Sequence, residues 1–302
     1  MAEKKSYSYF IGGVAICLLG AICFSTKAII VKLAYKETTV DPVTLLALRM
    51  IFSLPFFIIS AWWSSSKSDN IPFTWKQWLA VAVIGCVGYY VSSLLDFIGL
   101  RYVTAGIERL ILFTYPTMVL LMSVGIFKVK IRRLQWLALL TTYIGLFIAF
   151  WGEIKLDEQS EKFFIGSLLI FICAITYAIY IVGSGQLIPA IGAAKFNSYA
   201  MSFAALAVVL HFFISNENSL LTMDREVYVY SFLMSIISTV IPSYLIANGI
   251  KRVGSGNAAI IGSVGPVSTI VQAYFFLQEP IHAMQLIGTG LILVGILMIT
   301  KK

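Results

Sequence analysis

GLRYVTAGIERLILFTYP, residues 99–116, and GIKRVGSGNAAIIGSVGP, residues 249–266, decide how this chain is read. Set over one another without a gap, they pair Gly99 with Gly249, Val103 with Val253, Gly106 with Gly256, Ile111 with Ile261 and Pro116 with Pro266. Carried onward, the same offset of 150 pairs Ile131 with Ile281, Gln135 with Gln285 and Gly145 with Gly295. Isolated glycine matches mean little in a Gly-rich chain, but one constant offset held from position 99 to 145 is the mark of an internal duplication. The expected units are residues 1–151 and 152–302.

Both copies consist almost entirely of apolar runs. The chain is 59% hydrophobic and 12% charged, with mean hydropathy +0.90, whereas a soluble domain carries about 25% charged residues. A spanning helix needs about 20 apolar residues. Ten such runs can be marked, at 9–34, 42–63, 75–97, 104–126, 131–151, 163–183, 196–214, 227–249, 256–277 and 282–300. Lys4 and Lys5 before the first run resemble a secretory leader, but the run continues to Ala34 without a small-residue cleavage site, so it reads as a spanning helix. Five helices per copy is an odd number, and the second copy must therefore enter the membrane from the opposite side. The expected fold is all-α and membrane-integral, ten transmembrane helices forming two inverted five-helix repeats.

Basic loops stay cytoplasmic. With the N-terminus inside, cytoplasmic segments hold 13 Lys and Arg, among them Lys67, Arg132, Arg133, Lys195, Lys301 and Lys302, and the outer segments hold 6. Both termini are therefore expected in the cytoplasm, and the acidic stretches around Asp157, Glu158 and Glu161 and around Glu217, Asp224 and Glu226 outside. The net charge of +8 sits mostly in short connectors rather than on a soluble basic face, which excludes nucleic acid as a partner. Cys17, Cys23, Cys86 and Cys173 all lie in apolar runs without a CxxC pair, and His211 and His282 lie in different helices, so no metal or cofactor is expected. Gly254 to Ala259 fits GxGxxA, but it joins two apolar helices and lacks the strand of a dinucleotide site.

Several local patterns carry a family resemblance. Phe24 to Lys32 reads as small-polar, apolar and terminal Lys; Asp41-Pro42 is followed by Leu48-Arg49-Met50; Tyr115-Pro116-Thr117 and Gly265-Pro266-Val267 put a proline within the fourth and ninth helices; and Leu277-Gln278-Glu279-Pro280 closes the ninth. Over essentially its whole length the chain resembles the EamA-type, ten-helix branch of the drug/metabolite transporter superfamily. In the first repeat the corresponding turn reads Phe127-Lys128-Val129-Lys130, so only one copy keeps the acidic turn. The resemblance implies transport and identifies no substrate.

Ionisable side chains within spanning helices are costly, and they face a water-filled cavity or an opposite charge. Five are visible: Lys27, Arg49, Asp96, Glu108 and Arg109, all in the outer half of the first repeat. The positions equivalent to Glu108 and Arg109 are Ala258 and Ala259. Two readings compete. In one the charges neutralise each other, Lys27 or Arg49 with Glu108 and Arg109 with Asp96; in the other they line a solute site. Three cations against two anions leave one positive charge, which favours an anionic or zwitterionic solute. Glu108, and after it Asp96, are the proton-coupling candidates, because a buried carboxylate beside cations can change charge during a cycle. Tyr115, Tyr177, Tyr180, Tyr244, Asn248 and Gln272 are the aromatic and amide candidates for the remaining walls, and Pro116 and Pro266 the candidate hinges.

The function expected is secondary transport of a small polar metabolite, amino-acid-like or anionic, by alternating access between the repeats, coupled to protons or to exchange. An exporter of hydrophobic drugs is the alternative, against which the buried cations argue. An intramembrane enzyme or lipid-handling protein would need convergent His, Asp or Ser residues. The partners expected are a small-molecule solute, the lipid bilayer and, as one option, a second copy in a homodimer. The expected location is a bacterial inner membrane.

Overall fold

A computed structural model describes residues 2–66, 72–157, 161–215, 220–278 and 281–300. These residues form ten helices and no strand: α1 (Ala2–Glu37), α2 (Pro42–Ser65), α3 (Trp75–Gly99), α4 (Ala105–Phe127), α5 (Arg133–Asp157), α6 (Glu161–Ile191), α7 (Ala193–Ser215), α8 (Arg225–Val253), α9 (Ser255–Leu277) and α10 (Ala283–Thr300). Eight are long and apolar enough to cross a bilayer, and α5 and α10 are apolar over the shorter stretches Arg133–Ala149 and Ala283–Met298. The fold is an all-α, ten-helix integral membrane fold.

Helix ends follow local chemistry. Asp41 caps α2, accepting from the amides of Val43 and Thr44 at 3.0 Å each, with Pro42 in the first turn where no amide is needed. Thr74 and Gln77 form a reciprocal capping box on α3. Thr104 caps α4 through the Ile107 amide at 3.1 Å. Between α8 and α9 the backbone of Gly254 takes φ +81°, a conformation that only glycine adopts without strain. The GxGxxA match is thus a helix junction.

Helices also outrun the apolar runs that announce them. α1 starts at Ala2 rather than at residue 9, and α6 continues past residue 183 to Ile191, with Ile188 still buried. The polar stretch 152–162, expected as a connector, is largely helical: α5 reaches Asp157 and α6 resumes at Glu161. Good helix formers such as Glu153, Lys155 and Leu156 extend a helix beyond the slab that requires apolar side chains. Lys67, Glu158, Glu217, the Glu279-Pro280 turn, Lys301 and Lys302 lie outside the described residues.

The helix pairing is symmetric under exchange of the two halves. α1 packs on α8 as α6 packs on α3; α1 meets α9 as α6 meets α4; and α2–α7, α4–α9 and α5–α10 pair each helix with its own counterpart. The α1–α8 and α3–α6 partners run antiparallel, whereas α1–α9 and α6–α4 run parallel. Along α1 and α8, Gly13 faces Val253, Cys17 faces Gly249, and Glu37 accepts from the Tyr230 hydroxyl at 2.5 Å. Along α3 and α6, Ile84 faces Gly183, Gly88 faces Tyr180 and Gly99 faces Ile170. A Cβ on Gly99 would lie 2.5 Å from Ile170 Cδ1, and one on Gly249 would strike Cys17 Sγ. These two glycines, matched in the sequence, admit the same close approach in both copies.

Backbone irregularities recur at the same spacing to within one residue. Wide π-type turns occupy Cys86–Val91 of α3 and Ile236–Val240 of α8. α4 is interrupted at residues 113–114 and α9 at 262–263. The helices end on left-handed residues at Lys128 (φ 52°) and Gln278 (φ 59°). A third wide turn, Ala273–Leu277, has no counterpart among the described residues of α4. Trp62, Trp63 and Trp75, more than two-thirds exposed, cluster at adjoining ends of α2 and α3, where indole rings favour a membrane–water boundary.

Candidate functional site

Five charged side chains converge at the end of the bundle remote from the chain termini. Lys27 comes from α1, Arg49 from α2, Asp96 from α3, and Glu108 and Arg109 from the first two turns of α4. None is more than 3% exposed. Asp96 and Arg109 lie only one turn from helix ends, yet both are sealed inside the bundle.

Four of the five form a closed cluster. Lys27 Nζ lies 2.7 Å from Asp96 Oδ2 and 3.9 Å from Glu108 Oε1, and Arg109 Nε lies 3.0 Å from Glu108 Oε2. Arg109 also donates to the Ser25 carbonyl at 3.3 Å. Two cations and two carboxylates cancel. Lys27 meets Glu108, one of the two expected pairings, and bridges to Asp96 as well; the expected Arg109–Asp96 pair is corrected, since Arg109 pairs with its neighbour Glu108, and Arg49 pairs with neither carboxylate. The reason is geometric, since the ammonium reaches from α1 to Asp96 of α3 and Glu108 of α4, while the Arg49 guanidinium from α2 lies over the Phe97 ring.

Arg49 is thus set apart. Its Nε donates to Thr239 Oγ1 at 2.6 Å, and its guanidinium carbon lies 5.4 Å from the Phe97 ring centre. Asp96 is engaged by Lys27 rather than by Arg49. Nη1 and Nη2 are buried and have no hydrogen-bond partner among the described residues. Leaving a buried donor unmet costs about 1–3 kcal/mol, and more for a charged one. Thr239 sits in the wide turn of α8, and Tyr89, 150 residues earlier in sequence, sits in the wide turn of α3. The Thr239 hydroxyl reaches back to the Met234 carbonyl at 2.9 Å, five residues earlier. Such wide turns re-aim side chains and recur at functional sites.

The aromatic candidates come together in part. Tyr177 stacks on Phe24 at 5.7 Å, meets Tyr115 at 5.1 Å and Tyr180 at 6.1 Å, and Tyr180 meets Tyr89 at 5.0 Å. The Tyr115 hydroxyl donates to the Ala259 carbonyl at 3.1 Å, tying α4 to α9 beside both helix interruptions. A cavity of about 20 Å³, room for one water, lies there between Arg109, Tyr115, Tyr177 and Gly262. Gln272 joins α9 to α1 through the Ser25 hydroxyl at 3.0 Å, with its own oxygen buried and unmatched among the described residues. Tyr244 lies elsewhere, in a hydroxyl cluster with Ser198 (2.8 Å) and Ser60 nearer the termini. Asn248 bonds back to the Tyr244 carbonyl of its own helix at 2.8 Å. Pro116 and Pro266 stand in the first turns after the interruptions of α4 and α9, so the breaks precede the prolines.

Other residues carry polarity that the charges had overshadowed. Asn197 is fully buried; it accepts from the Tyr180 hydroxyl at 3.4 Å and donates to Ser243 Oγ at 3.0 Å. Ser231, Ser235, Ser238, Thr239 and Ser243 are buried along one side of α8. Ser231, Ser235, Thr239 and Ser243 recur every four residues, a helical stripe available in the sequence. Lys195, counted above among the loop cations, is buried with its ammonium 4.3 Å from the Phe73 ring centre.

Comparison with known proteins adds the wider context. The sequence profile described as the EamA-like transporter family matches residues 11–151 and again 164–301. The uncharacterized transporter YcbK of Bacillus subtilis is 32% identical over 297 residues, covering 95% of this chain and 92% of its own. An uncharacterized transporter of Synechocystis is 24% identical over 96% of this chain and 93% of its own. A crystal structure of a protein 17% identical superposes with TM-score 0.76 over 96% of this chain and 98% of that one, which shows a shared fold.

Proposed function

The chain belongs to the EamA-like transporter family, and from that premise we propose that it is a secondary transporter of a small polar metabolite, working by alternating access between its two five-helix halves. The observation that carries this reading is the group of five buried charges between the halves, beside matched interruptions in α4 and α9. A structural ion-pair network alone would be expected to balance, and this one retains Arg49 without a partner for its two terminal nitrogens among the described residues. The repeats divide at residues 151–152, the termini face the cytoplasm of a bacterial inner membrane, and the driving force is a proton gradient or exchange of solutes. Transport, rather than catalysis, is the activity.

Counterflow in proteoliposomes tests it. Vesicles preloaded with unlabelled solute should accumulate the same labelled solute transiently, for at least one member of a panel of amino acids, carboxylates and sugar acids. No trans-stimulated uptake across that panel, with a folded protein in the vesicles, overturns the reading.

A further inference from the structure

The formal charges of the buried group divide unevenly. Lys27, Asp96, Glu108 and Arg109 are within ion-pair distance of one another and sum to zero. The remaining positive charge is on Arg49, whose Nε is engaged by Thr239 and whose Nη1 and Nη2 point away from that bond without a protein acceptor among the described residues. Those two nitrogens form one planar edge of the guanidinium, matched in geometry to the two oxygens of a carboxylate. The surroundings are polar on the α8 side, where Thr239 is fully buried, and aromatic on the α3 side, where the Phe97 ring lies 5.4 Å from the guanidinium carbon.

Resting on the transport reading above, we propose that Arg49 is the docking point for a solute with a single carboxylate, which completes the guanidinium's bonding and brings the buried group to neutrality. Charge sets the class. One uncompensated cation matches one negative charge; a dicarboxylate or a phosphate dianion would leave an excess negative charge in a sealed, low-dielectric interior. An amide of the same acid keeps the shape and loses the charge. The four-residue cluster has no surplus charge to offer an anion, so it positions helices around the solute rather than holding it.

The test uses the full chain, purified in detergent and separately reconstituted. Thermal unfolding is followed with acetate, lactate and pyruvate, with the amides of these three acids, and with succinate and inorganic phosphate. At least one monocarboxylate should raise the unfolding midpoint of the wild type, while its amide, succinate and phosphate do not. Arg49→Gln should lose that response, and Arg49→Lys should bind at least tenfold more weakly because a lone ammonium lacks the planar fork. A residue held in place for the fold would behave otherwise. Without solute, Arg49→Gln should therefore unfold at a temperature no lower than the wild type, since an unmet buried charge is removed. A carboxylate response that persists in Arg49→Gln, equal responses to acid and amide, no response to any monocarboxylate, or a marked loss of stability in Arg49→Gln each overturns the proposal. Counterflow separates the two readings: uptake of some solute at equal rates by wild type and Arg49→Gln keeps transport and removes this site, whereas carboxylate binding without any uptake keeps the site and removes transport.

Discussion

The two halves of the molecule share a backbone and divide the polarity between them. Both have a wide turn in the third helix, an interruption in the fourth and a left-handed residue closing it. The first half holds all five buried charges of the candidate site, while the second offers hydroxyls, Asn197 and the tyrosines of α6. Position 27 is a lysine, and 150 residues later position 177 is a tyrosine; Glu108 and Arg109 answer to Ala258 and Ala259. A duplicated frame can thus keep its packing residues, such as Gly99 and Gly249, and diverge in the side chains that face the junction. Packing is constrained at every close approach, and chemistry is needed only once per site.

The charged half should be the more fragile under substitution. Lys27→Met removes the cation 2.7 Å from Asp96 and leaves two buried carboxylates against Arg109 alone. Breaking a buried pair in this way costs about 3–5 kcal/mol. Tyr177→Phe, at the matching position, should cost no more than about 1 kcal/mol, since only a hydroxyl is lost. Unfolding midpoints in detergent compare the two directly, and the double change Lys27→Met with Asp96→Asn should recover most of the loss. Equal midpoints for Lys27→Met and Tyr177→Phe would end the claim that the halves differ in this respect.

Packing, in contrast, should respond alike in both halves. Gly99→Ala drives a Cβ onto Ile170, and Gly249→Ala drives one onto Cys17. Overpacking of this kind costs about 1–3 kcal/mol. Cys17→Ala combined with Gly249→Ala should restore stability, because the obstructing atom is the cysteine sulfur. If one glycine tolerates alanine and the other does not, the two helix pairs are not packed as copies, whatever their sequence match.

Most of the frame was legible in the residues because its causes are local or periodic. Apolar runs set the ten spans, and the constant offset exposed the duplication and the matched glycines and prolines. The pairing of charges was not legible. Which of Lys27, Arg49 and Arg109 meets a carboxylate depends on how α1, α2 and α4 rotate around α3, and one sequence contains no register for that rotation. The wide turns were hidden for a related reason: the Thr239 hydroxyl bonds five residues back, a backbone choice that composition does not announce. Asn197 and the α8 hydroxyls escaped because Ser, Thr and Asn are cheap enough within membranes not to stand out beside lysine and arginine, although their helical spacing was there to be read.

The smallest expected effect on stability is the one that bears most on movement. Pro116 and Pro266 each follow an interruption and lack the amide that would bond to residue 112 or 262, four positions earlier. Pro116→Ala restores that donor and lets α4 run straight through residues 113–114. At α9 the Gly262 carbonyl already accepts the Gly265 amide at 2.9 Å, so Pro266→Ala gains a donor whose acceptor is engaged. Either change should alter stability by only about 0.4–1 kcal/mol, through the added freedom of the unfolded chain. If the interruptions flex as the halves exchange access, Pro116→Ala should slow counterflow by more than Pro266→Ala, with the solute concentration for half-maximal uptake unchanged in both. Rates equal to the wild type in both variants would reduce the prolines to fixed bends, and a slower Pro266→Ala would place the moving joint in the uncharged half.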